Sequence, residues 1–172
     1  AEERRERAGH AVSSEHGPHL REAIGWLERG QDAVQGGGIA RGYNIMYSTY
    51  FRGRSWQPAY PETTGSIIPP LLEAAVYLDR PELTQRAMAA ARWETVVQLP
   101  EGAVQGGVIG EGRTPAVFNT GMALFGWLAV HALTGDAECG ESARRAGRYL
   151  WSVLEPDVHC LKGNSLLAHA QT

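Results

Sequence analysis

The sequence predicts an all-α fold, an α/α toroid of repeated helical hairpins joined by Gly-rich loops and incomplete as it stands. Three observations carry this. The segment Ala33-Val34-Gln35-Gly36-Gly37-Gly38-Ile39-Ala40-Arg41-Gly42 returns as Ala103-Val104-Gln105-Gly106-Gly107-Val108-Ile109-Gly110-Glu111-Gly112, identical at seven of ten positions, and such self-similarity marks stacked units. Each copy follows a helix-like stretch ending in Trp-x4-Gln (Trp26 to Gln31, Trp93 to Gln98) and precedes one opening with Thr-Gly (Thr64-Gly65, Thr120-Gly121). The helix-like stretches also fall into two kinds, one amphipathic and one apolar on nearly every side.

Taken in order, residues 1–19 form a polar N-terminal segment that opens on a mixed-charge run, Glu2 to Arg7. Residues 20–157 form the partial toroid and residues 158–172 an atypical tail. Residues 83–98 and 141–154 place apolar side chains at helical spacing (Leu83, Ala87, Ala90, Ala91, Val97; Ala143, Ala146, Leu150, Val153, Leu154) between charged ones, so each has one wet face and belongs to an outer ring. Residues 67–78 and 121–133 are apolar almost throughout and belong to an inner ring, buried on every side. Thr63 or Thr64, and Asn119 or Thr120, are suited to cap the inner helices, because a short side-chain oxygen accepts from first-turn amides. Pro69 and Pro70 then fall inside the helix and should distort its first turns or move its start later. A tetratricopeptide array would repeat at about 34 residues with short turns, whereas these units are longer and their loops are rich in glycine.

Composition narrows the functional classes. Sixteen Lys and Arg against 19 Asp and Glu give a net charge of −3, which offers no broad basic surface for nucleic acid. Glycine, at 21 of 172 residues, is the one excess over ordinary usage. Cys139 and Cys160 have no metal-binding or disulfide spacing, no N-terminal leader is evident, and no run reaches the roughly 18 uninterrupted apolar residues of a membrane span. The reading is a cytoplasmic protein with no membrane span, no metal and no cofactor. His10, His16 and His19 lack a third-ligand spacing, His131 reads as a hydrogen-bonded core histidine, and Arg144, Arg145 and Arg148 read as a solvated outer-helix face.

The run Trp56-Gln57-Pro58-Ala59-Tyr60-Pro61-Glu62-Thr63-Thr64-Gly65-Ser66-Ile67-Ile68-Pro69, with Phe118-Asn119-Thr120-Gly121, resembles a bacterial family of uncharacterised α/α-toroid proteins. By fold that family is grouped with the terpenoid cyclases and protein prenyltransferases, and it is often encountered beside polysaccharide-biosynthesis proteins. The resemblance spans about residues 20–155. The Gln31 and Gln98 loops lack the tryptophan of the cyclase Gln-Trp motif, and neither an Asp-x-Asp-Asp motif nor the prenyltransferase zinc ligands are present. The resemblance therefore implies the toroid and a role in polysaccharide metabolism, not isoprenoid chemistry. It also implies a further Gly loop after Trp151, where the sequence instead reads Glu155-Pro156-Asp157-Val158-His159-Cys160, as a truncated or a diverged gene end would.

In a toroid, the loops and inner-helix N-termini at one end line a cavity, which singles out Arg41, Tyr43, Trp56, Tyr60, Glu62, Thr63, Thr64, Asn119 and Thr120. Trp56 and Tyr60 either stack on a sugar ring or pack the loop onto the helices. Glu62, with Tyr60, is the candidate acid or base, since desolvation beside aromatic rings raises a carboxyl; a capping role is the alternative. Glu111 is the candidate second carboxylate or an ion-pair partner for Arg41. Arg41, Tyr43, Trp56, Thr63, Thr64, Asn119 and Thr120 form the expected substrate-binding set, with Arg41 holding a sugar carboxylate. The expected function is a carbohydrate-active or carbohydrate-binding toroid acting on an acidic or phosphorylated saccharide, as a lyase, epimerase or glycoside hydrolase if it is an enzyme. Its alternatives are a non-catalytic helical scaffold for a protein partner and a terpenoid-cyclase-like enzyme. A second copy of the chain could complete the ring.

Overall fold

A computed structural model describes residues 16–154. The expectations for the N-terminal segment before residue 16, including His10, and for the tail beyond Leu154, including Cys160, lie outside the described residues. Within them the chain is all-helical: α1 (His16–Asp32), α2 (Pro61–Tyr77), α3 (Glu82–Val97), α4 (Val117–Thr134) and α5 (Ala137–Ser152), with a short 3-10 turn at Gln35–Gly37. α2 and α3 form one hairpin and α4 and α5 another, and the two hairpins meet mainly through α2 against α4. The core runs along these contacts: Ile68, Leu71, Ala74 and Ala75 of α2, Leu83, Ala87, Ala90 and Ala91 of α3, Ala123, Trp127 and Val130 of α4, and Cys139, Ala143 and Ala146 of α5. Ile24 of α1 joins it, and Arg80 and Arg86 tie α1 to the α2–α3 hairpin through ion pairs with Glu28 and Asp32, at 2.7 and 2.8 Å.

α2 and α4 start earlier than the capping argument predicts. α2 begins at Pro61 and α4 at Val117, behind the extended residues Tyr60 and Ala116, and neither start carries a side-chain cap. Pro61 occupies a first-turn position, where the missing amide costs nothing and the fixed φ suits the helix. Thr63, Thr64, Asn119 and Thr120 thus lie within the first turn rather than ahead of it. Pro69 and Pro70 do not break α2, which runs through both. Asp136 is the helix-start residue that does cap, accepting from the Glu138 and Cys139 amides at 2.9 and 3.0 Å.

The two threonines hold the loops instead. Thr64 Oγ1 donates to the Tyr60 carbonyl and accepts from the Ile39 amide, both at 2.9 Å. Thr120 Oγ1 donates to the Ala116 carbonyl at 2.7 Å and accepts from the Val104 amide at 3.0 Å. The Gln at the C-terminal end of α1 and of α3 is a second repeated fastening. Gln31 Nε2 donates to the carbonyls of Gly37 and Arg86, and Gln98 Nε2 to those of Gly102 and Ser142, so the first joins its loop to α3 and the second its loop to α5. Gly37 and Gly102 lie at φ of +98° and +99°, pressed on that helix, where a side chain would meet the Ala89 and Arg145 backbone respectively.

These contacts correct the repeat register. Ile39 corresponds to Val104 and Gly37 to Gly102, so the loops align with an offset of 65 residues, whereas the identical stretch beginning at Ala33 and Ala103 aligns with one of 70. Identity follows glycine and small residues that recur within one loop; the fold follows the amide that reaches the threonine. Arg41 therefore matches Gly106, and Glu111 lies in the shorter second loop, which has no counterpart of the ribbon formed by the first.

Candidate functional site

The loop between α1 and α2 doubles back on itself. Isolated antiparallel pairings link Ala40 to Ala59, Tyr43 to Trp56 and Ser48 to Gly53, with backbone bonds from Arg41 to Pro58 and from Gln57 to Gly42 at 3.1 and 2.8 Å. This ribbon delivers Arg41, Tyr43 and Trp56 to the N-terminal end of α2, where Tyr60, Glu62 and Thr63 stand. Arg41 and Tyr43 are exposed, while Trp56, Tyr60, Glu62 and Thr63 are half-buried. Thr64, Asn119 and Thr120 are buried.

Arg41, Tyr60 and Glu62 come together. The Tyr60 hydroxyl donates to Glu62 Oε2 at 2.5 Å, and the Arg41 guanidinium lies 5.6 Å over the Tyr60 ring. Burial, and then the Glu62 carboxylate, push the Tyr60 hydroxyl above its usual range, opposed by Asn119 and by the positive charge of Arg41. The cluster thus keeps Tyr60 protonated and Glu62 as acceptor. Arg41 has no carboxylate within ion-pairing distance among the described residues, so the expected pair with Glu111 is absent. Glu111 instead accepts from the Val108 amide at 3.2 Å and stands beside Tyr50, whose hydroxyl it pushes up.

The remaining predicted residues divide differently. Trp56 packs against Trp26, ring centres 4.6 Å apart, with Tyr43 edge-on to both, and its ring fills the space beside Gly30. It fastens the ribbon to α1. One flank still borders a cleft of about 140 Å³ formed with Trp26, Leu27, Ala40, Arg41 and Thr63, large enough for one small ring. Asn119 Nδ2 donates to the Gln105 carbonyl at 3.1 Å, and with Thr64 and Thr120 it is occupied in holding loops rather than offered to a ligand.

Two surface expectations change. His131 is exposed, not in the core, and its Nδ1 lies 2.7 Å from the Asp136 carbonyl. Arg145 is not part of a solvated face, since it hydrogen-bonds Gln98 across α3 and α5; Arg144 and Arg148 do stay outside, beside Glu141. No group of three His, Cys, Asp or Glu able to hold a metal occurs among the described residues. α4 is by length and composition apolar enough to cross a membrane, with 39% of it buried in this fold.

Sequence reasoning missed Glu94. It is fully buried on α3, both carboxyl oxygens lack a hydrogen-bond partner, and desolvation raises it well above the usual carboxylate range. The nearby Gly65 amide only partly opposes that shift. A signal was present: aligned on the fastening contacts, α1 and α5 carry Leu27 and Leu150 at this position. No protein-family profile, curated protein or solved structure matches the chain.

Proposed function

We propose that the loop end of the bundle is a saccharide-binding site of an α/α-toroid protein, taking an acidic sugar. The observation that carries this reading is the Arg41–Tyr60–Glu62 cluster. It sets an uncompensated guanidinium, a tyrosine ring and a carboxylate acceptor within one side chain's reach of each other. A guanidinium recognises a planar carboxylate in a two-pronged fashion, a carboxylate accepts from sugar hydroxyls, and an aromatic flank takes the apolar face of the ring. The cleft beside Trp56 adds room for one sugar unit. In this reading Arg41 holds the sugar's acid group, Glu62 accepts from a hydroxyl or its proton, and Tyr60 fixes Glu62 and lines the site. The toroid rests on the two identically built seams between outer helices, made by Gln31 with Gly37 and Gln98 with Gly102, since units that stack the same way each time curve steadily.

The test is thermal stabilisation of the full chain by uronic, phosphorylated and neutral sugars, with Arg41→Ala and Glu62→Gln alongside. Binding of N but not U stabilises by about 2.7 kcal/mol at a hundredfold excess over Kd. The expected result is a shift with uronic acids that disappears in Arg41→Ala and shrinks in Glu62→Gln. Equal shifts in wild type and Arg41→Ala, or none with any sugar, would overturn it.

A second reading, a scaffold for a protein partner, draws on one observation. Between α2 and α4 an open cleft of about 960 Å³ is lined by Pro69, Leu72, Val76, Tyr77, Ala129 and Leu133, almost wholly apolar. Among the described residues its one carboxylate is Glu73, which is not the aspartate pair a terpenoid cyclase would need.

A further inference from the structure

We infer that the tip of the first-loop ribbon is a lipid-docking element, which sets Ile45, Met46 and Tyr47 into the surface of an anionic membrane. The pairings fix the shape of the tip. Four residues separate Tyr43 from Ser48 on the outgoing limb, but only two separate Gly53 from Trp56 on the returning one. Two extra residues are thus thrown out of the ribbon as a bulge, a device that re-aims side chains. The side chains it carries are Ile45, Met46 and Tyr47, which are 75%, 80% and 66% exposed, and Tyr50 just beyond is 69% exposed. Large apolar side chains gathered in the open mark an interaction site. The ribbon lies between α1 and α2, inside the continuous stretch of described chain, and Trp56 fastens its root to Trp26. Its exposure is therefore not that of a chain end.

Charge and shape select the occupant. From Gly42 to Pro61 the only charged side chains are Arg52 and Arg54, in a chain whose net charge is −3. Both are exposed, and neither has a carboxylate within ion-pairing distance among the described residues. Arg54 Nε donates to the Ile45 carbonyl at 2.9 Å, which holds its cation at the base of the bulge. Arg52 stands at φ +54°, a left-handed position more often given to glycine or asparagine. Glu111 of the second loop stands beside Tyr50 and pairs with neither arginine. Apolar side chains with cations at their base match a bilayer surface, where hydrocarbon lies beneath anionic headgroups. Tyrosine rings collect at that boundary, and arginine keeps its charge among the headgroups. Successive side chains of an extended limb project to opposite sides, so the three make a prow rather than a flat face, and lipid closes round a prow without being built to fit it. Two arginines are a small footing for nucleic acid. The contact is with one leaflet and is not a span, and it shares no residue with the Arg41–Tyr60–Glu62 cluster.

Co-sedimentation of the full chain with vesicles tests this, using phosphatidylcholine alone and phosphatidylcholine with phosphatidylserine. Wild type should bind the phosphatidylserine vesicles more tightly, and less so as salt is added. Ile45→Ser with Met46→Ser removes the apolar anchor and should weaken that binding about tenfold or more for each side chain. Arg52→Gln with Arg54→Gln should bring binding down toward the level seen on phosphatidylcholine, about fivefold for each charge. All four positions are exposed, and circular dichroism with cooperative melting verifies that both variants fold. Failure of wild type to sediment with phosphatidylserine vesicles would overturn the inference, and binding of labelled oligo-uridine in its place would assign the tip to single-stranded nucleic acid. Undiminished vesicle binding by Ile45→Ser with Met46→Ser would overturn it as well, as would a preference for phosphatidylserine that survives the loss of both arginines.

Discussion

Replacing Glu94 by leucine should stabilise the protein, and the gain should grow with pH. The carboxyl is fully buried and neither oxygen has a partner. Held neutral, such a group costs about 1–3 kcal/mol of desolvation with no hydrogen bond to offset it. Leucine fits the position in fold terms, since Leu27 and Leu150 occupy it in α1 and α5. Glu94→Leu is therefore expected to raise stability by about 1–3 kcal/mol. At about 2–4 °C per kcal/mol for a chain of this size, melting followed by circular dichroism resolves it. The pH dependence has a definite sign. Burial raises the folded-state value above that of the unfolded chain, so the folded form holds the proton longer, and this contribution is fully present below the unfolded value. It declines as pH rises toward the raised folded one, by up to about 1.4 kcal/mol per pH unit. In Glu94→Leu that decline is absent, and in the near-isosteric Glu94→Gln it is absent too while the buried polar cost remains. A lower stability for Glu94→Leu than for wild type, or a gap between them that does not widen with pH, would refute the reasoning and mean that the carboxyl has a polar partner in solution.

The other predictions concern the fastenings. Thr64→Val and Thr120→Val keep the shape but leave the buried Ile39 or Val104 amide without its acceptor; urea titration should give a loss of about 1–3 kcal/mol for each. Gly102→Ala should cost about 1–3 kcal/mol or more, because φ is +99° and the new methyl collides with the Arg145 carbonyl; a milder loss than in Thr120→Val would contradict this. The Cys139 thiol is buried and pushed up to about 11 by desolvation and then by Asp136, so peptide mapping after iodoacetamide treatment at mildly alkaline pH should find Cys139 unmodified in the folded chain and modified in denaturant. Modification at equal rates in both would show that α5 does not pack as described.

The sequence reports helices and hides fastenings, for a physical reason. Apolar spacing is a property of each helix alone, which is why α3 and α5 are legible as amphipathic and α2 and α4 as apolar. Helix starts are a property of the junction: the Ile39 amide takes up the Thr64 hydroxyl, which removes it from capping, and Pro61 supplies the start instead. Nothing local to Thr64 announces that exchange. The same holds for the candidate site. Arg41, Tyr60 and Glu62 are visible as residue types suited to a sugar, and they do meet, but only because the first loop is a paired ribbon; the second, one-third shorter between its helices, places Gly106 where Arg41 would be. Trp56, Asn119 and the two threonines carry the same chemistry on paper and are consumed by packing. Glu94 was hidden by the opposite route, since one Glu on an amphipathic helix looks solvated until α1, α3 and α5 are aligned on their contacts rather than on their glycines. A repeat protein thus exposes its exceptions only in the correct register. Here those exceptions are, among the described residues, an unpartnered carboxyl where leucine belongs and an arginine where glycine belongs. Each departs from what stacking alone requires, and each is the place where a single substitution separates a structural role from a functional one.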